Sequence, residues 1–88
     1  MKDSNDFSGF KQQLEDHYTF PTLYLFKFIV PKEELDNLKA LFPDISFEIK
    51  PSKKGKYIST SFKISVDSSD SIIEIYLKAN TIKGIISL

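Results

Sequence analysis

The chain contains no cysteine, no arginine and a single histidine, His17. Without cysteine there can be no disulfide framework and no thiolate metal site, and one histidine cannot form a histidine metal cluster. A reducing compartment is compatible with this composition. All 12 basic residues are lysines, so the forked guanidinium best suited to clamping carboxylate, phosphate or guanine is missing. These 12 lysines balance 12 acidic residues, and a neutral chain lacks the global basic field that drives non-specific nucleic-acid binding. No apolar run approaches the roughly 20 residues of a membrane span, and residues 1–5 are polar with no signal-peptide core behind them. The expectation is a soluble, cytoplasmic protein with no membrane contact. No glycine-rich loop of the phosphate-cradling kind is present.

What the sequence does have is bulk. Eight Phe and four Tyr stand among 88 residues that are 41% apolar, enough for one modest core at a length that buries roughly 60 to 65% of its unfolded surface. Each buried Phe contributes about 1.5 to 3 kcal/mol.

Residues 1–19 read as an extension: a polar, frayed start over Met1 to Asp6, then a short helix marked by Phe7, Phe10, Leu14 and Tyr18 at spacings of three and four. Gly9 weakens that helix and Phe20-Pro21 ends it. The stripe is expected to serve as a lid on the core, with partner binding as the alternative. Residues 20–88 read as one domain. Leu23 to Val30 forms a central strand, with Tyr24, Phe26, Phe28 and Val30 on one face and Leu23, Leu25, Lys27 and Ile29 on the other. The second face needs a cover or a partner chain.

Lys32 to Phe42 predicts a helix with Leu35, Leu38, Leu41 and Phe42 inward, acidic Glu33, Glu34 and Asp36 early and Lys39 late, as the helix dipole favours. After Pro43-Asp44, Ile45, Phe47 and Ile49 alternate with Ser46, Glu48 and Lys50 in a half-buried strand. A basic turn, Pro51 to Tyr57, leads to the cleanest two-residue period in the chain. There Ile58, Thr60, Phe62, Ile64 and Val66 alternate with Tyr57, Ser59, Ser61, Lys63 and Ser65. A second helix follows with Ile72, Ile73, Tyr76, Leu77 and Ala79 on its apolar side. Ser71 and Glu74 have capping-box spacing, and Ser68, Ser69 and Asp70 are alternative caps. Gly84 precedes a short last strand with Ile85, Ile86 and Leu88.

The order strand, helix, strand, strand, helix, strand with right-handed crossovers predicts an α+β, ferredoxin-like βαββαβ sandwich. Its antiparallel four-stranded sheet runs in the order 4-1-3-2, with two helices on one face.

Catalytic and metal chemistry find no foothold. His17 lies outside the sheet-and-helix unit, and Ser59, Ser61 and Ser65 have the spacing of a polar sheet face rather than of nucleophiles. Lys54-Gly55 before an aromatic is superficially like an RNA-recognition motif, but Lys56 and Ile58 stand where that motif needs stacking aromatics. Nucleic-acid binding and cofactors are therefore not expected. The candidate contact residues are Leu23, Leu25 and Ile29 on the uncovered strand face, with Lys53, Lys54, Lys56 and Tyr57 at the turn. The lysines also guard an edge strand against aggregation.

Phe20-Pro21-Thr22 before the first strand and Lys50-Pro51-Ser52-x-x-Gly55-x-Tyr57 at the turn resemble the YbeD-like family of small bacterial proteins, over about residues 20–88. The resemblance implies a ferredoxin-like fold similar to the ACT regulatory domains, which bind amino acids and pair through their sheets; it implies no established activity. ACT effector sites rely on a glycine where the first strand meets the first helix. Here that junction reads Ile29-Val30-Pro31-Lys32, so no effector residues are carried over. The expected function is a non-catalytic regulatory or adaptor module acting through protein-protein contact, with itself as a homodimer or with another protein. The alternative is a domain sensing an amino acid or an anionic metabolite.

Overall fold

A computed structural model describes residues 8–88. The expected frayed start over residues 1–6, and the part of Phe7 in the aromatic stripe, lie outside the described residues. Strands β1 (Thr22–Pro31), β2 (Glu48–Pro51), β3 (Tyr57–Val66) and β4 (Ile86–Ser87) form one antiparallel sheet in the order β2-β3-β1-β4. Read from its other edge, this is the order 4-1-3-2 that the sequence predicts. Helices α1 (Ser8–His17), α2 (Leu35–Leu41) and α3 (Ser69–Ala79) complete the ferredoxin-like arrangement. The Phe20–Pro21 peptide is cis.

Alternation decides the core. In β1, Phe26, Phe28 and Val30 are fully buried, and in β3 Ile58, Thr60, Phe62 and Val66 point the same way. Phe26 sits at the centre, its ring 5.0 Å from Phe62 and 5.4 Å from Tyr76 of α3. The buried Thr60 hydroxyl donates to the Phe28 carbonyl oxygen at 3.0 Å, so its burial leaves no polar group unsatisfied.

Helix α3 begins at Ser68, whose Oγ accepts the Ser71 N–H at 3.2 Å. The capping role therefore falls to Ser68, and Ser71 is the capped residue. Helix α1 lies against α3: Leu14 is buried, Phe10 meets the Tyr76 ring at 5.7 Å, Ser69 Oγ donates to Glu15 Oε2 at 2.8 Å and Lys11 pairs with Asp70 at 3.1 Å. Through Phe10 and Leu14 the stripe is thus a lid on its own core.

Three elements differ from the sequence reading. The helix expected over residues 32–42 opens with a 3-10 turn, Lys32–Glu34, and becomes α-helical at Leu35. Neither segment has a side-chain cap, and a tighter turn is one way to satisfy unpaired backbone groups at a helix end. The strand expected from Ile45 starts only at Glu48, and its residues are all exposed rather than half-buried. Ile45 and Phe47 instead pack on the core from a loop, Phe47 edge-on to Phe62 at 5.1 Å. Leu77 is exposed rather than on the apolar side of its helix, while Ile75 packs on the core.

Candidate contact face and groove

Because the helices occupy one side of the sheet, the other side carries what the strands point outward: Leu23, Leu25, Lys27 and Ile29 from β1, and Tyr57, Ser59, Ser61, Lys63 and Ser65 from β3. The pairing register extends these rows sideways. Ile29 opposes both Ser59 and Ile86, and Ser59 opposes Lys50, so one row reads Ile86, Ile29, Ser59, Lys50. The next row reads Lys27, Ser61, Glu48. Leu23, Leu25, Tyr57 and Ile86 are each 46 to 62% exposed, an apolar concentration unusual for an uncovered sheet face.

The short serines of β3 form a floor between taller side chains on either side. Three adjoining hollows follow that floor. One, of about 370 Å³, is lined by Ile29, Lys50, Pro51, Ser52, Tyr57, Ser59 and Ile86. Its neighbour, about 230 Å³, shares Lys50 and Ser59 with it and adds Leu25, Lys27, Glu48 and Ser61. A third, about 380 Å³, shares Leu25, Glu48 and Ser61 with the second and reaches Ser46, Phe62 and Lys63. Together they make one groove along β3 from Tyr57 to Lys63, about 20 Å long at a strand rise of about 3.3 Å per residue.

The turn at one end of this groove is built on Ser52. Its Oγ accepts the N–H groups of Gly55 at 3.1 Å and Tyr57 at 3.4 Å, while its own N–H donates to the Tyr57 carbonyl at 3.0 Å. Gly55 has a φ of +72° and so takes the left-handed conformation the turn requires. At the junction of β1 with the first helical segment, Gly84 approaches Pro31 so closely that a Cβ on it would lie 2.9 Å from Pro31 Cγ.

Of the candidate residues, Ile29 and Tyr57 meet in the hollow of about 370 Å³, and Leu25 lines its two continuations. Leu23 is exposed one step beyond the groove, and Lys53, Lys54 and Lys56 are exposed in the turn above it. Sequence reasoning missed Ile86, Lys27, Glu48, Lys50 and the floor role of Ser59 and Ser61. The β3 alternation placed the serines outward, but only the register shows what stands beside them.

Titration is perturbed away from this face. Burial, and then the hydrogen bond to Tyr24 at 3.4 Å, push the Tyr76 hydroxyl above its ordinary range, and the hydrogen-bonded Asp70 carboxylate raises Lys11. His17 is exposed on α1, beside Phe10, Gln13, Leu14 and Tyr18. Among the described residues no cluster of three or more His, Asp or Glu could hold a metal ion, and no helix is long and apolar enough to cross a membrane.

A family model described as "Protein of unknown function (DUF493)" matches residues 15–87, starting inside α1 and so a little earlier than the sequence resemblance reaches. No curated protein and no solved structure matches the chain.

Proposed function

The chain belongs to this YbeD-like family of unknown function, and from that premise we propose that it is a non-catalytic regulatory or adaptor module whose open sheet face makes protein-protein contact. The observation that supports this is the uncovered apolar set Leu23, Leu25, Ile29, Tyr57 and Ile86 beside a groove on a rigid sheet. A patch of this kind is costly to leave in water and gains when another surface covers it. Contact on a central strand also suits an adaptor, since β1 and β3 are held by ten paired positions and hold the patch rigid.

Sedimentation velocity over a range of concentrations, together with affinity recovery from the native lysate, tests the reading. Self-association, or a partner lost on Ile29→Glu substitution, is expected. A strict monomer that recovers no partner contradicts it.

The second reading is a sensor of an amino acid or anionic metabolite, favoured by the hollow of about 370 Å³ with Lys50 at its rim, a volume within the range of small-ligand sites. A metabolite panel followed by thermal shift and by the amide signals of Ser52, Tyr57 and Ser59 tests it. Silence across the panel removes it.

A further inference from the structure

The charges of this neutral chain are segregated. Lys27, Lys50 and Lys63 stand on the open face, and Lys53, Lys54 and Lys56 on the turn at the end of the groove, which is six of the 12 lysines; among the described acidic residues, Glu48 alone joins them. The other described carboxylates lie on the helices or the loops leading to them: Glu15 and Asp16 on α1, Glu33, Glu34 and Asp36 at the start of the second helical segment, Asp44 after it, and Asp67, Asp70 and Glu74 around α3. Two copies meeting face to face would bring two lysine-rich surfaces together, which like-charge repulsion opposes. A copy meeting the helical side of another would match in charge but make a head-to-tail contact, which builds rings or open filaments rather than a closed pair.

The groove's shape narrows the choice further. Its walls, β1 and β2, are two strand spacings apart, about 10 Å between backbones, so a helix of about 10 to 12 Å across rests on the two walls with one stripe of its side chains reaching the serine floor. Its length of about 20 Å accommodates about 13 helical residues. Leu25, Ile29 and Ile86 line one wall and Tyr57 closes the end, so the occupant needs an apolar stripe. Lysines stand on both walls, so its flanks need carboxylates.

We infer that the groove along β3 docks an acidic amphipathic helix of another protein, its apolar stripe over Ile29, Ile86 and Tyr57 and its carboxylates toward Lys27, Lys50 and Lys63. The inference rests on the contact reading above and names the partner of that same face. Lysine suits the task despite the lack of arginine, because helix carboxylates spaced along a groove need flexible point charges rather than a planar fork. The attraction is screened by salt, since the groove is open to water.

The test uses the full chain with three labelled 18-residue peptides: a helix with one leucine stripe and glutamate elsewhere, the same with lysine for glutamate, and the same with serine for leucine. A uridine 12-mer RNA is the fourth probe. Fluorescence anisotropy gives affinity and amide shifts give location. The leucine-glutamate peptide is expected to bind, to shift Leu25, Lys27, Ile29, Lys50, Tyr57, Ser59 and Ser61, and to weaken about tenfold between 0.05 and 0.5 M salt. Lys27→Glu and, on the edge strand, Lys50→Glu should each weaken it about fivefold. Lys39→Glu on α2 should not. Equal binding by the lysine or serine peptide, the same shifts with the RNA, shifts on the helices, or no binding would each overturn the inference. Concentration-dependent shifts of the same residues without peptide would also overturn it, by making a second copy the occupant; in that case the contact reading stands.

Discussion

Ile29 and Ser59 stand opposite each other in the β1–β3 register, a large apolar side chain beside a short hydroxyl, and the step in height between them is one wall of the groove. The same step recurs on the other side, where Lys50 also opposes Ser59. Removing the step without altering the strands is therefore a clean way to separate binding from folding. Ser59→Leu should fill the floor and abolish partner or peptide binding. Stability should change by no more than about 0.5 kcal/mol, as for surface substitutions away from special features. Urea unfolding alongside a binding titration checks both halves.

The glycines at positive φ make a graded pair. A Cβ at Gly55 would meet nothing within 4 Å, whereas at Gly84 it would press on the Pro31 ring. Gly55→Ala should cost about 1 kcal/mol, the left-handed penalty alone. Gly84→Ala should cost more, about 2 to 3 kcal/mol, because the Pro31 ring at the end of β1 must also shift. Equal losses in urea unfolding would contradict the contact.

Two serines hold backbone ends that differ in burial. Ser68→Ala removes the cap of α3 and should destabilise by about 1 kcal/mol. Ser52→Ala removes the shared acceptor of the turn, where water can substitute, so about 0.5 kcal/mol is expected. Its signature is faster amide exchange at Gly55 and Tyr57.

Alkaline pH should weaken the fold through Tyr76. Its folded hydroxyl titrates above the ordinary value of 10.0, so above that pH the unfolded chain loses a proton that the folded chain keeps. Stability is full below about pH 10 and falls as pH rises past it. Tyr76→Phe should flatten that fall in unfolding measured from pH 8 to 11, with a small loss near neutrality because the bond to Tyr24 is long, at 3.4 Å.

The fold was legible wherever one face of an element meets the core and the other meets water. Tyr57–Val66 carries that alternation without interruption, and β3 has those bounds. Residues 45–47 carry the same alternation, yet they pair with no strand; Phe47 is held by the Phe42 and Phe62 rings instead. Burial rewards a side chain whether or not its backbone joins a sheet, so periodicity alone does not distinguish the two cases. Leu77 failed for a related reason, since helical spacing places it at the edge of the apolar stripe and the neighbouring packing settles which edge is covered. The outward residues of β1 and β3 were equally legible. The groove was not, because it depends on which side chains the register sets beside Ser59 and Ser61, and β2 and β4 each contribute only a few residues to that register.

The most direct test of the open face as the working surface is site-specific photo-cross-linking in cells that produce the protein natively. A benzophenone side chain at Ile29 is compared with one at Asp36, on the opposite side of the sheet. The account predicts a discrete adduct from position 29, lost when Ser59 is also changed to Leu, and none from position 36. Adducts from position 36 alone, or no adduct from position 29, would contradict it.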